Sequence, residues 1–532
     1  MGLLNKDTLE RLSQVQAGGG SPRAVTKAIT QATGIVNYDL RPALRRMYPV
    51  LFPLAAMLPR EVRKVGDTAT RWKSVVAINP TSLRATTGEG NRGASLVTAV
   101  RDFVAPYMTL AYDDSVTFQA DWAAGDFDNA KEAAVLGLLH SLRIEEDKLI
   151  YGGNRTYSIG QPGVISLADS ATGGAINANT QVFVTCFPLT YEGWQHAPVS
   201  SGVVAAASAL TVLSTKTNAD GSTDLVSGGV GIPAVVQNIT TANDGNNTHA
   251  VTAVVPTVQG AVAYAWFWGS NATTTCWLGA ITNTNTVTMT TALGVSTATG
   301  AATAAQIQSG RFDQVLTATD YSANGLGMDG LLYFAFGAGQ QINPVVLASG
   351  ALVSVNNDAN GVATTLTANG AGGISEIDAD LFTFYTNWKI GPSDLFVSAQ
   401  QAIDINNKVI AGGGAPLFRF NLDRTDTANA LAEGIISAGS AVGSYLNKFT
   451  NTLMKVVVYP WAVPGTMFYY TREIPYYGAT QKVPAQMTLR QEYMQREWPI
   501  VRPRYEFGIL MDGVLQMYFP FGMGVRYNIA QG

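Results

Sequence analysis

Residues 161 to 311 carry only seven charged side chains, whereas the other 381 residues carry 65. So abrupt a change of surface chemistry within one chain predicts a second domain set into a first. No flexible, linker-like composition separates this stretch from its flanks, so 1–160 and 312–532 must come together as one host for the chain to fold compactly. At 532 residues the chain exceeds what a single core organises and fits two or three domains. With 47% hydrophobic and 14% charged residues, Gly, Ala, Thr and Asn take the place of much of the usual charged surface. Such a surface is easier to understand if neighbouring subunits cover it.

A formal charge of -4 provides no overall attraction to nucleic acid or to anionic membrane. Locally the balance reverses: ten basic residues between Arg23 and Lys73 face only Asp39, Glu61 and Asp67. Cys186 and Cys276 lack metal-ligand spacing and read as buried free thiols. Lys6, Asp7, Glu10 and Arg11 stand where a signal peptide needs an apolar run, and no run of 18 apolar residues occurs, so a soluble cytoplasmic product is expected.

Along the chain, Leu9 and Leu12 mark a short helix over 5–16, ended by Gly18-Gly19-Gly20-Ser21-Pro22. Trp72, Ser74, Val76 and Ile78 alternate with Lys73, Val75 and Ala77; with Val97–Phe118 returning in extended form, they predict a long two-stranded arm over 68–120. A helix is expected over 126–152, with Asp126 as its cap, Phe127, Ala130, Ala134, Leu138, Leu142 and Leu149 on its apolar stripe, and Gly152-Gly153 as its end. Lys131, Arg143, Glu146 and Asp147 lie off that stripe and read as a solvated or contact face. The charge-poor segment is all-β in character, with runs at 180–189, 251–255, 260–268 and 283–291 separated by turn clusters. Over about 60 residues its strand order resembles fibronectin type III and immunoglobulin-like sandwiches. Trp266, Trp268 and Trp277 read as sandwich core rather than as sugar-stacking residues. In the host, Ser375 caps a helix reaching Trp388, a strand follows at 394–398 and a helix at 399–410; strands are expected at 453–459, 465–472, 505–510 and 514–518, with Asp512-Gly513 as a turn. Mixed α+β is the fold class of this part.

Four features in order carry a family resemblance: the short helix and basic arm, the two-stranded extension, the long helix, and a C-terminal string. That string runs from Arg490-Gln-Glu-Tyr through Trp498-Pro-Ile-Val-Arg502-Pro-Arg504-Tyr-Glu506-Phe-Gly508 to Asp512-Gly513-Val-Leu and Pro520. Together they resemble the major capsid protein of tailed bacteriophages, the Hong Kong 97 type of shell subunit. The resemblance implies an N-terminal helix and arm (1–67), an extended loop (68–120), a spine helix with part of a peripheral domain (121–160), the inserted sandwich (161–311), a connection (312–374), an axial domain (375–480) and peripheral C-terminal strands (481–532). It implies inter-subunit contacts through Arg84, Glu89, Arg92, Arg101, Arg490, Glu492, Arg496, Arg502, Arg504 and Glu506. Arg41, Arg45, Arg46, Arg60, Arg63 and Lys64 would form an inner basic surface against packaged double-stranded DNA; pairing with acids of a neighbouring subunit is the alternative for Arg41, Arg45 and Arg46. Implied partners are further copies in hexamers and pentamers, a separate scaffolding protein, a portal and a decoration protein. The implied site is the virion, assembled in the host bacterial cytoplasm. A separate scaffold is expected because only about 35 residues precede Asn37. The insert is expected to face outward, and the host to assemble without it. No residue is assigned to a lysine-asparagine cross-link, since Lys73 stands near the base of the extension rather than its tip.

Catalytic chemistry is absent from the pattern. His140, His196 and His249 are far apart and sit in no metal or nucleophile motif. Gly337-Ala338-Gly339 lacks a dinucleotide fingerprint and reads as a turn. Glu376, Asp378 and Asp380 read as acids favoured at a helix start rather than as glycosidase carboxylates, and Asp220 and Asp224 lack the ligands of a calcium loop. No catalytic, cofactor or metal residue is therefore assigned. The competing classes are a secreted adhesin or carbohydrate-active protein with a fibronectin-like module, and another virion component such as a tail or decoration protein.

Overall fold

A computed structural model of the chain describes residues 52–63, 68–78, 86–92, 98–124, 130–197, 199–200, 203–204, 213–269, 276–291, 318–339, 350–411, 443–474 and 482–532. The helix expected at 5–16, Arg41, Arg45, Arg46, Lys64, Arg84, Asp126 and the side chain of Arg101 lie outside what is described.

Among the described residues the first elements are α1 (Pro53–Met57) and β1 (Arg60–Val62). Then come β2 (Ala69–Ile78), β3 (Thr98–Pro106), β4 (Met108–Thr117), α2 (Phe118–Ala124) and α3 (Ala130–Gly152). β2 and β3 pair antiparallel from Ala69↔Pro106 to Ile78↔Thr98, which is the expected arm. The return leg divides, however. Beyond Tyr107 the chain leaves β2, because buried Met108 and half-buried Leu110 draw β4 onto the host core. Helix α3 ends where its glycines imply: a Cβ on Gly152 would stand 2.2 Å from the Tyr191 ring.

The charge-poor segment supplies β5 (Ser166–Ser170), β6 (Gln181–Leu189), α4 (Tyr191–Gln195), β7 (Val199–Ser200), β8 (Val203–Val204), β9 (Leu213–Thr217) and β10 (Thr223–Ser227). It continues with β11 (Gln237–Thr240), β12 (Ala250–Val254), β13 (Ala263–Gly269), β14 (Cys276–Thr282) and β15 (Thr286–Met289). One sheet has the order β11-β6-β13-β14 and another β15-β12-β5. Val184, Cys186, Tyr264 and Trp266 of the first share a core with Val251, Ala253, Val287 and Met289 of the second. The small-large alternation of β13 explains its double burial: Ala263, Ala265 and Phe267 point into a separate cluster on the other face. Cys186 and Cys276 belong to these two different clusters and are free.

The host resumes with α5 (Leu331–Gly339), β16 (Leu352–Val355), α6 (Ser375–Trp388), β17 (Asp394–Val397), α7 (Ala399–Ala411), β18 (Ser444–Asn447), β19 (Thr452–Val458) and β20 (Met467–Tyr470). It closes with β21 (Ala485–Glu497), β22 (Arg504–Met517) and β23 (Met523–Tyr527). A four-stranded sheet, β1-β21-β22-β4, lies against α3, and a six-stranded sheet has the order β16-β23-β20-β17-β19-β18. One core joins the four-stranded sheet, α3, α5 and one face of the six-stranded sheet; α6 packs with the other face.

Three local expectations are corrected. Gly337-Ala338-Gly339 closes helix α5 rather than making a turn, because the apolar Leu331–Phe336 run is buried and needs no amphipathic period. Asp512-Gly513 lies inside β22, paired with β4 on one side and β21 on the other, so pairing overrides turn chemistry. Ser375 is the first residue of α6 and Ile374 holds the cap position without a side-chain bond. In addition β23 leaves the neighbourhood of β21 and β22 and joins the six-stranded sheet, so the region 481–532 contributes to both sheets.

The charge-poor segment is stitched to the rest of the chain. Tyr191 and Val262 belong to the host core, and Tyr333 Oη donates to Gly260 O at 3.1 Å. Asn528 Nδ2 donates to Asn285 Oδ1 at 2.9 Å, and Asn285 N donates back to Asn528 Oδ1 at 2.8 Å. Excising 161–311 would therefore open that core and orphan buried amides, a cost that the remaining chain would have to bear in order to assemble.

Between the six-stranded sheet and α6, Arg526 Nε and Nη2 both reach Asp380 at 2.7 Å, and Tyr469 Oη and Ser354 Oγ complete the carboxylate's partners. Substituting Arg526→Met leaves Asp380 buried without its counter-charge and should cost about 3–5 kcal/mol in denaturant unfolding. A loss below about 1 kcal/mol would show the pair to be dispensable.

Candidate assembly surfaces and the junction beneath them

The arm meets its own body at the base. Trp72 Nε1 donates to Met517 O at 2.6 Å, and Gln516 Nε2 donates to Thr70 Oγ1 at 2.5 Å. Phe103 stacks on Trp72 at 5.7 Å between ring centroids. Val104, one position nearer the base than that stack, is 57% exposed; farther out, residues 86–92, with Glu89 and Arg92, are exposed around a turn closed by Asn91 N on Gly88 O. The backbone of Arg101 pairs with Ser74.

The second surface is the far end of the β21–β22 hairpin. Glu492, Arg496 and Arg502 are exposed. Arg490, Arg504 and Glu506 are instead engaged within the chain: Arg490 Nε donates to Asp512 Oδ2 at 2.6 Å with its guanidinium 5.4 Å from the Tyr107 ring centroid, and Arg504 pairs with Glu506 at 2.5 Å. Sequence reasoning missed the apolar residues here. Trp498, Ile500 and Val501 are exposed at the hairpin end. Exposed Trp122 follows Phe118, whose N–H donates to Pro503 O and whose ring lies 4.7 Å from Tyr505. The run Trp498-Pro-Ile-Val, apolar between arginines, was the available signal.

Beneath these surfaces the structure overturns the solvated reading of Glu146 and Asp147. Both are fully buried. The stripe that packs inward near the end of α3 is Leu142, Glu146 and Ile150 with Asp147 and Tyr151, so the carboxylates share the apolar face. They are tolerated because they are paired. Arg60 Nη2 donates to Glu146 Oε1 at 2.7 Å and Oε2 at 2.8 Å, and Tyr493 Oη bonds the same carboxylate. Asp147 accepts Ala55 N at 2.6 Å and Tyr459 Oη at 2.7 Å. Burial outweighs these bonds and pushes the Asp147 carboxyl up to about 6. Arg60 is thus spent inside the subunit rather than offered to phosphate, and Arg63 pairs with Glu61 at 2.9 Å. Lys131 and Arg143 sit over aromatic rings, Lys131 at 3.1 Å from the Tyr505 centroid.

The acids considered for catalysis are structural. Glu376 accepts Thr367 N, Asp378 accepts Lys448 Nζ and Tyr445 Oη, and Asp380 holds Arg526. Asp220 and Asp224 brace the β9–β10 turn. Trp266 is fully buried and Trp268 nearly so, donating to Thr282 Oγ1 and Thr291 O, whereas Trp277 is half-buried. Among the described residues no three His, Cys, Asp or Glu side chains are placed to hold a metal ion. None of the described helices is long and apolar enough to cross a membrane.

No family model and no curated protein matches the chain. Solved structures with weak likeness include the capsid of the Myoviridae phage XM1 (9% identity, 93% of this chain and 100% of that one, TM-score 0.36). The cyanophage A-1(L) capsid asymmetric unit has 8% identity over 95% and 99% of the two chains, with a TM-score of 0.40. The satellite phage P4 procapsid including its size determination protein has 8% identity over 99% of each chain, with a TM-score of 0.33. Likeness at this level does not by itself assign a family.

In the insert, His249 is buried between two carboxylates, Nδ1 at 3.0 Å from Asp169 and Nε2 at 2.9 Å from Asp244. The hydrogen bond to Asp244, then that to Asp169, raises its pKa. A raised imidazole contributes stability that is complete below the ordinary histidine range and fades as pH climbs through the raised value. The unfolding gap between wild type and His249→Gln should therefore be widest near pH 6 and shrink toward about pH 9. A gap constant over that range would contradict the charged clamp.

Proposed function

We propose that this chain is the major capsid protein of a tailed bacteriophage, a Hong Kong 97-type subunit that self-assembles into the icosahedral shell around packaged double-stranded DNA. The observation that carries the reading is the arm β2–β3. It is a two-stranded ribbon tied to its own subunit at the base, with exposed side chains beyond. A ribbon of two strands is marginal alone in water, so its natural support is a second copy. The order of arm, long helix, six-stranded sheet and C-terminal hairpin also agrees with the sequence resemblance.

In this reading the exposed Glu89 and Arg92 at the arm tip, with Glu492, Arg496 and Arg502 at the hairpin end, contact neighbouring subunits. Contacts that are individually weak become strong when repeated around a closed shell. Arg41, Arg45, Arg46 and Lys64 are the basic residues proposed to meet DNA, without sequence reading. The insert is proposed as an immunoglobulin or fibronectin III-like sandwich on the outer surface. A separate scaffolding protein, a portal and a decoration protein are the proposed partners. Virion localisation and assembly in the bacterial cytoplasm belong to the same proposal.

Expressed alone or with its scaffold, the protein should sediment as hexamers, pentamers or megadalton particles, and Arg92→Glu should impair assembly while leaving the subunit's unfolding transition unchanged. A wild-type protein that stays monomeric at high concentration would overturn the reading.

A further inference from the structure

The neck where the insert leaves α3 holds a carboxyl group without a counter-charge. Glu192 lies on α4, whose Thr190 cap accepts Gly193 N through its hydroxyl. Its Oε1 is shut off from solvent without a hydrogen-bond partner, and Oε2 receives Asn324 Nδ2 at 3.3 Å. The two segments of the neck are laced together beside it: Asn154 Nδ2 donates to Ser322 O, Asn324 N donates to Asn154 O, and Arg155 N and Thr156 N donate to Asp329. Tyr191, beside it, presses on Gly152 at the end of α3.

The charged groups acting on this carboxyl are acidic. Glu145 on α3 and Asp329 on the returning segment both oppose its ionisation, and the Asn324 side chain and the Asn154 N–H at α3's exit favour it. Asp147 and Glu145 also act on the adjoining Tyr191. The cation of the neck, Arg155, gives Nη1 to Gly327 O at 2.9 Å, and Lys148 lies 3.9 Å from Glu145. Glu192 is half-buried as a residue, but a carboxyl oxygen shut off from water in such company favours the uncharged acid.

We propose that Glu192 is a proton-operated latch between the insert and the long helix: with a proton on its carboxyl the turn Tyr191–Gln195 seats against α3, and loss of the proton weakens that seat. Burial, foremost, holds the carboxyl up to about 7. In an opened neck it returns to the ordinary glutamate range, about 4.3. The closed neck therefore binds the proton more tightly, and closure is strongest in acid and weakens as pH rises to about 7, beyond which the effect levels off. This holds whether or not the chain builds shells.

Hydrogen exchange of the full chain, corrected for the intrinsic pH dependence of exchange, tests it at amides 190–196 and 322–327. Wild type should show opening that increases up to about tenfold per pH unit between about pH 5 and 7. Glu192→Gln, which keeps the shape of the protonated acid, should remove that slope and keep the acid-side protection. An equal slope in wild type and Glu192→Gln, or a flat wild-type profile, would overturn the latch. Should Glu192→Gln fail to fold, Glu145→Gln serves: removing the neighbouring charge should move the wild-type curve to lower pH, and an unmoved curve would overturn it.

Discussion

The host depends on two adjacent buried acids at the end of one helix. Glu146 and Asp147 bind Arg60 of β1, the backbone of α1, Tyr493 of β21 and Tyr459 beyond β19. These partners come from the segment before the arm, from the four-stranded sheet and from the end of an inner strand of the six-stranded sheet. An apolar contact at the same place would fill the space as well but would tolerate sliding; directional bonds to a carboxylate do not. Removing one partner of such a buried pair leaves an uncompensated charge, which costs several kcal/mol. The long helix is thus keyed to both sheets at one end, while its other end runs beneath the exposed hairpin, with Lys131 against Tyr505.

That arrangement separates rigid from available parts. The core joining α3, α5 and both sheets is continuous, and the insert is bonded into it through Tyr333, Asn285 and Asn528. Among the described residues, the charged turn 86–92 and the end of the C-terminal hairpin with Trp498, Ile500 and Val501 are exposed. Apolar side chains held out on a well-braced scaffold are costly to leave in water and useful for association. The proposed shell function places the work of assembly on these parts and the work of holding shape on the buried acids.

Much of the architecture was legible in the sequence because it is encoded locally. The alternation at Trp72–Ile78 became β2, the acids after Ser375 began α6, and the alternating Ala-Tyr-Ala-Trp run became the doubly buried β13. The buried carboxylates were not legible, since their partners lie 86 and 312 positions away and a charged residue on a helix ordinarily faces water. Arg60 looked like part of a basic surface for the same reason. Asp512-Gly513 has turn chemistry but is held straight by strands on both sides. Helix α5 is apolar on every side and so offers no periodic stripe. The attachment of the insert was hidden as well, because buried asparagines give no signal until their partners are known.

The central claim is that the arm is completed by a neighbouring copy. Hydrogen exchange across 69–78 and 98–106, compared between the dissociated subunit and the assembled particle, measures this directly. Exchange should be fast in the free subunit beyond the Trp72 anchor and strongly slowed in the particle. Equal protection in both states would show that the arm is stable without a neighbour, and would contradict the claim.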